Sequence, residues 1–193
     1  MTGSAKLKPL LGLVLVVVAA VPLASLAADV RPVFKAGYDT GGDKIVTAVF
    51  TSGSTKSIKA NEGIYIGGGA SILLDSKDIE IEVTASYKYQ GITAGNGDIT
   101  WTRIPLEGLV FYRAPKFRVG GGLTYHLSPK LSGSGVAGGL NVNVDDALGV
   151  VLQGDWLITQ KMSVGLRYTN LSYKANGVKA NSDGVGVTFG ARF

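Results

Sequence analysis

Ile79-Glu80-Ile81-Glu82-Val83-Thr84-Ala85-Ser86-Tyr87-Lys88-Tyr89-Gln90 places Ile, Ile, Val, Ala, Tyr and Tyr at odd positions and Glu, Glu, Thr, Ser, Lys and Gln at even ones. Successive side chains of a strand point to opposite sides, so this segment reads as a strand with one apolar and one polar face. A helix would mix the two sets around its circumference.

The same period runs through the chain from about residue 30. It predicts strands over 63–74, 79–90, 99–112, 117–128, 146–158, 162–173 and 184–193. The segment from Phe34 to Phe50 keeps one phase through Gly41-Gly42 and reads as a single bent strand, with two strands as the alternative. Most of these runs have 10 to 14 residues, against about 5–6 for an ordinary strand and 9–11 for one that crosses a bilayer. The connections at 75–78, 113–116 and 159–161 are short. Those at 52–62, 91–98, 129–145 and 174–183 are longer and rich in Gly, Ser, Asn and Asp. All short turns then fall at one end and all long loops at the other, the signature of an up-and-down membrane barrel. The expected fold is all-β: an eight-stranded antiparallel up-and-down transmembrane β-barrel.

Composition bounds the remaining classes. Of 193 residues, 46% are hydrophobic and 17% charged, against about 25% charged in an average soluble domain. The chain has no Cys and one His, which excludes a disulfide scaffold, a thiolate metal site and a cysteine nucleophile. Lys6 and Lys8 precede an apolar run from Leu10 to Val21, then Pro22 and the small-residue end Ser25-Leu26-Ala27. This reads as a cleaved signal peptide over 1–27, leaving 28–193 as a single barrel domain. Two of the nineteen Lys and Arg leave with it, so the formal charge of +5 falls by two, and no basic stripe suited to nucleic acid remains. No later stretch is long and apolar enough for a spanning helix.

Alternation alone does not say which face is out, since a soluble ligand-binding barrel has the same period with its apolar face inward. Three features favour apolar-out. The polar face gathers Lys35, Asp39, Asp43, Glu80, Glu82, Lys88, Arg103, Glu107, Arg118, Asp155, Arg167 and Arg192, a balanced set able to pair inside a narrow lumen. The apolar face carries Tyr112, Phe117, Trp156 and Phe193 near the short turns and Tyr87, Tyr89, Tyr125 and Tyr168 toward the long loops, two girdles for two interfaces. Glycines lie inside strands, at 67–69, 120–122, 165, 186 and 190, where they make room for large inward neighbours.

This pattern resembles the small bacterial outer-membrane barrels of the OmpA, OmpX and OmpW type across nearly all of residues 28–193. Its sharpest element is the closing strand Val185-Gly186-Val187-Thr188-Phe189-Gly190-Ala191-Arg192-Phe193. A terminal aromatic there resembles the signal read by the barrel assembly machinery, with Ala191 where a larger apolar residue is usual. The resemblance implies a bacterial outer-membrane address and a monomer. It also implies contact with outer-membrane lipids and lipopolysaccharide, and passage through periplasmic chaperones and the assembly machinery.

The candidate chemistry is sparse. Gly67-Gly68-Gly69 lacks the Lys-Ser/Thr and the helix of a phosphate loop. Asp39, Asp43, Asp145 and Asp146 do not have calcium-loop spacing, and no cofactor or metal is expected. His126 and Ser128 point the same way at period two, as a base and a nucleophile need. They resemble the His-x-Ser element of lipid A deacylases, although Pro129 stands where that family has Asn and no Glu follows Glu107. The leading expectation is a non-enzymatic surface barrel with a charge-filled lumen. Its rivals are a narrow porin-like channel, a lipid A-modifying enzyme using His126 and Ser128, and a soluble periplasmic barrel.

Overall fold

The structure, a computed structural model, describes residues 29–50 and 52–193; the leader read over residues 1–27 lies outside them. Among the described residues the strands are β1 (Asp29–Gly41), β2 (Lys44–Val49), β3 (Thr55–Lys59), β4 (Gly63–Leu73), β5 (Ile79–Ala94), β6 (Gly97–Arg113), β7 (Phe117–Gly133), β8 (Asn141–Asn143), β9 (Ala147–Leu157), β10 (Met162–Ala175), β11 (Val178–Asn181) and β12 (Gly184–Arg192). Eight of them close a cylinder in the order β1, β4, β5, β6, β7, β9, β10, β12, each antiparallel to its neighbours. The last strand returns to the first, with Val33 facing Arg192 and Gly41 facing Gly184. Closure leaves no barrel edge unpaired, which removes the template for aggregation that an open sheet exposes.

The barrel is turned inside out relative to a soluble protein. Glu80 and Glu82 are 0% and 1% exposed, while Val83 is 38% and Leu166 69% exposed. Ile64, Leu123, Leu148 and Leu152 are likewise more than half exposed. A continuous outer wall of such side chains is far larger than the apolar patches that soluble monomers tolerate.

The segment from Phe34 to Phe50 is two strands. Gly41 and Gly42 have φ of +118° and +81°, the left-handed region that glycine enters without a Cβ penalty. There β1 leaves the barrel and the chain turns into β2, which pairs only with β3. The 91–98 connection is shorter than expected. Strands β5 and β6 run on, with Thr93 facing Asp98 and Ala94 facing Gly97, to a turn of Gly95 and Asn96. At 16 and 17 residues these strands exceed a membrane crossing and stand above the barrel rim. The other long loops are structured as well: β8 pairs antiparallel with the end of β7, and β11 pairs with β10 across Asn176-Gly177, whose φ values of +50° and +80° suit a two-residue hairpin turn.

Candidate functional site: the charged bore and its outer cap

Alternation sends one residue in two from each barrel strand into a cylinder too narrow for bulk water. Charges there must meet partners, because an unpaired buried ion costs several kcal/mol. Near the short-turn end, Glu80 accepts from Ser71 Oγ (2.8 Å), Arg118 Nη1 (2.5 Å), Arg113 Nη1 (2.6 Å) and Arg192 Nη1 (3.1 Å). Arg118 spans to Glu82 (2.7 Å) and, through Nε, to Asp155 (2.7 Å), and its guanidinium lies 4.0 Å from the Phe111 ring centroid. Gln153 donates to Asp155 at 3.0 Å.

The next layer centres on Glu107, which accepts from Lys35 (3.3 Å) and is clamped by both terminal nitrogens of Arg167. Lys35 also reaches Glu82 (2.9 Å) and so ties the two layers together. Above them Lys88 donates to Asp39 (2.5 Å) and to Asn61 Oδ1 (3.0 Å). The cavity bounded by Asp39, Tyr65, Lys88, Glu107, His126 and Arg167 measures about 10 Å³, near the least that holds one water.

The long-loop end is closed by an apolar cap. Hairpin β2–β3 folds over the mouth, and Ile58 and Ala60 are fully buried with Ile92, Trp101, Leu131, Ala147, Leu171 and Tyr173. Polar ties fix it: Trp101 Nε1 donates to the Ala60 carbonyl (3.0 Å), and Arg103 Nη2 donates to the carbonyls of Asn61 (2.9 Å) and Glu62 (2.7 Å). Arg103 also lies 5.3 Å from the Trp101 ring centroid.

The structure places Lys35, Asp39, Glu80, Glu82, Lys88, Arg103, Glu107, Arg118, Asp155, Arg167 and Arg192 in the bore, all buried. Asp43 is not among them. The break at Gly41-Gly42 carries it out to the loop surface, where its carboxylate accepts from the Asn181 amide (2.8 Å). Six buried Lys and Arg therefore face five buried carboxylates among the described residues. Arg103 is the cation left to backbone carbonyls, which is why it anchors the cap. Tyr87, Tyr89, Tyr112, Phe117, Trp156, Tyr168 and Phe193 are exposed on the outer wall, and Tyr125 is half-buried there. Tyr38, which donates to Glu62 (3.0 Å), joins the row on the loop side.

His126 and Ser128 are not brought together. Ser128 has φ of +48° in a bulge, where Thr102 faces Lys130 but Ile104 faces Leu127. The extra residue reverses the phase, so Ser128 is exposed while His126 is buried. The imidazole Nδ1 lies against the Tyr173 hydroxyl, and the Ser128 amide donates to Asp146 (2.9 Å). The base–nucleophile geometry expected from period two is absent.

Several bore residues were not singled out by periodicity. Arg113 sits at a strand end, and Asn61 and Ala60 belong to a segment read as loop. The signal for the cap was present in Ile45, Val46, Ala48, Phe50 and Ile58, an apolar density unusual for a solvated loop.

No protein-family model matches the sequence, and no curated protein matches it. Solved structures do. Ail, the attachment invasion locus protein of Yersinia pestis, in complex with the heparin analogue sucrose octasulfate, superposes with a TM-score of 0.50 over 86% of this chain and 97% of that one, at 9% identity. The fold is that of the small outer-membrane barrels. Neisserial surface protein A, at 14% identity, gives a TM-score of 0.46 over 86% of this chain and 99% of that one. At 9% identity the likeness to Ail is one of fold alone.

Proposed function

We propose that the chain is an integral outer-membrane protein whose barrel is a sealed, non-catalytic support for its long loops. One observation carries this reading: the bore is filled from end to end, by paired charges below and by the β2–β3 cap above, while the outer wall is apolar. A filled bore leaves no route for solute, and the separation of His126 from Ser128 removes the base–nucleophile pair that the sequence offered. The tyrosine row on the loop side and Tyr112, Phe117, Trp156 and Phe193 at the other end mark two interfaces, with outer-leaflet lipid against the first. The barrel acts as a monomer, delivered by periplasmic chaperones and inserted by the assembly machinery.

Because the chain contains no Cys, single thiols test this reading cleanly. Ser54→Cys lies in the exposed turn between β2 and β3, and Ser76→Cys in an exposed short turn. A membrane-impermeant maleimide added to intact cells is expected to label the first and not the second. Equal labelling of both, or recovery of the chain in the soluble fraction, overturns the proposal.

A further inference from the structure

The outer wall is not uniform. Where β9, β10, β12 and β1 adjoin, it carries a depression of about 700 Å³ bordered by Leu152, Leu166, Tyr168, Val187 and Tyr38. Gly154 lines it, facing Val119 on one side and Leu166 on the other, and a Cβ added there would meet nothing within 4 Å. The volume is within the range of ligand pockets, and its walls are apolar.

Directly above this depression the outward side chains change character in register. Leu166 faces Val187 and Tyr168 faces Val185. Further up, Ser172 faces Asn181, its hydroxyl donating to the Asn181 amide oxygen (3.1 Å). At the top Lys174 faces Lys179, both exposed. Like charges placed directly opposite across a ladder destabilise it. Among the described residues neither lysine makes an ion pair. The nearby carboxylates are Asp43, Asp145, Asp146 and Asp183. Asp43 accepts from the Asn181 amide, and Asp146 from the Ser128 amide and the Tyr125 hydroxyl (3.3 Å). Asp145 adjoins the ladder through its backbone, its amide donating to the Lys174 carbonyl (2.9 Å), and Asp183 follows Lys179 by four residues; neither carboxylate forms an ion pair with the two lysines.

Resting on the outer-membrane reading, we propose that this wall binds one phosphate-bearing glycolipid of the outer leaflet, with acyl chains in the Gly154 depression and a phosphate held between Lys174 and Lys179. The column from apolar wall through tyrosine, hydroxyl and amide to paired ammonium groups follows the order of groups along such a lipid, from tail through sugar to phosphate. Two cations that repel each other bare are drawn together by a shared dianion.

The test uses the purified full barrel in detergent and lipopolysaccharide as the probe, with dephosphorylated lipopolysaccharide and inorganic pyrophosphate as separate arms. Binding of lipopolysaccharide is expected to weaken about thirty-fold in the K174Q/K179Q double variant, the combined effect of two lysines near an anionic group. Removing the phosphates from the probe is expected to have the same effect on the wild type and none on the variant. Gly154→Leu is expected to weaken the intact probe by filling the depression. K116Q/K161Q, which removes lysines from the short turns, is expected to leave binding unchanged. All variants are first checked for the gel shift of a folded barrel. Wild-type binding by both K174Q/K179Q and G154L overturns the proposal. Competition by pyrophosphate at concentrations matching the lipid also overturns it, since the tail would then contribute nothing. Failure of the membrane reading itself appears elsewhere, as a chain recovered in the soluble fraction.

Discussion

Glu80 is the residue on which the most charge converges. Arg113, Arg118 and Arg192 all donate to it, with Ser71, and it is completely buried. Replacing it by Gln keeps the volume and removes the charge that balances three guanidinium groups. Breaking a buried pair by neutralising one partner costs about 3–5 kcal/mol, because the other ions stay behind uncompensated. Glu80→Gln is therefore expected to lower stability by about that amount, read as the urea midpoint at which the compact, unheated band disappears on a gel. Ser71→Ala, which removes one neutral donor, is expected to cost only about 1 kcal/mol. The opposite sign applies at Ser128. Its φ of +48° is a left-handed conformation that costs an L residue about 1–2 kcal/mol and costs Gly little. Ser128→Gly is expected to be no less stable than the wild type in the same assay, and Ser128→Val clearly less. At this scale the sequence was partly legible. The eleven buried charges follow from strand parity, as Glu80 and Glu82 do from the Ile79–Gln90 alternation, but parity misses Arg113 at a strand end and misplaces Asp43. Parity fails where a strand gains a residue, and the one hint in Tyr125-His126-Leu127-Ser128-Pro129 of the bulge that turns Ser128 outward is Pro129, which has no N–H to give a sheet ladder.

At the scale of elements, the barrel strands were readable and the structured loops were not. Strand positions rest on a local signal, the period of two, which each segment carries by itself. The cap rests on a tertiary one. Hairpin β2–β3 has strands of 6 and 5 residues and is not stable as an isolated hairpin; it holds because Ile58 and Ala60 enter the barrel mouth and Trp101 and Arg103 bond to the backbone just after them. Without knowing that a mouth lies beneath, 52–62 reads as a polar loop. The dependence on the mouth makes a separable prediction. Ile58→Ala opens a cavity in a buried cluster, a loss of about 2–5 kcal/mol that falls on the cap, since the barrel ladder does not run through β3. Trypsin is expected to cut at Lys56 and Lys59 at least about tenfold faster in the folded variant than in the wild type. The resulting barrel is still expected to show its gel shift. Loss of the gel shift together with the faster cutting would mean that the cap and barrel unfold as one unit, and that the cap is part of what keeps the cylinder closed.

At the scale of the molecule the question is which layer seals the bore. The cap lies at the long-loop mouth, but the ion pairs below it are themselves a plug: Lys35 bridges Glu82 and Glu107, Arg118 bridges Glu80, Glu82 and Asp155, and Arg167 clamps Glu107. Side chains alone fill an eight-stranded cylinder, so the charged layers need no help from the loop. Three proteins reconstituted in planar bilayers separate the contributions. The wild type is expected to give no reproducible single-channel steps. A variant in which a short Gly-Ser link replaces residues 44–59 is expected to stay silent as well, because removing the cap uncovers the Lys88–Asp39 pair without opening the layers beneath. A third variant, Glu82→Ala with Arg118→Ala, removes one carboxylate and one guanidinium from the middle of the plug and leaves the net charge of the bore unchanged. It is the one expected to show small steps, their size falling as Lys35 is left to bind the permeant anion. If the cap-deleted barrel conducts on its own, the ion network is permeable and the hairpin is the seal, which would make the first long loop a gate over a channel and not a brace over a solid support.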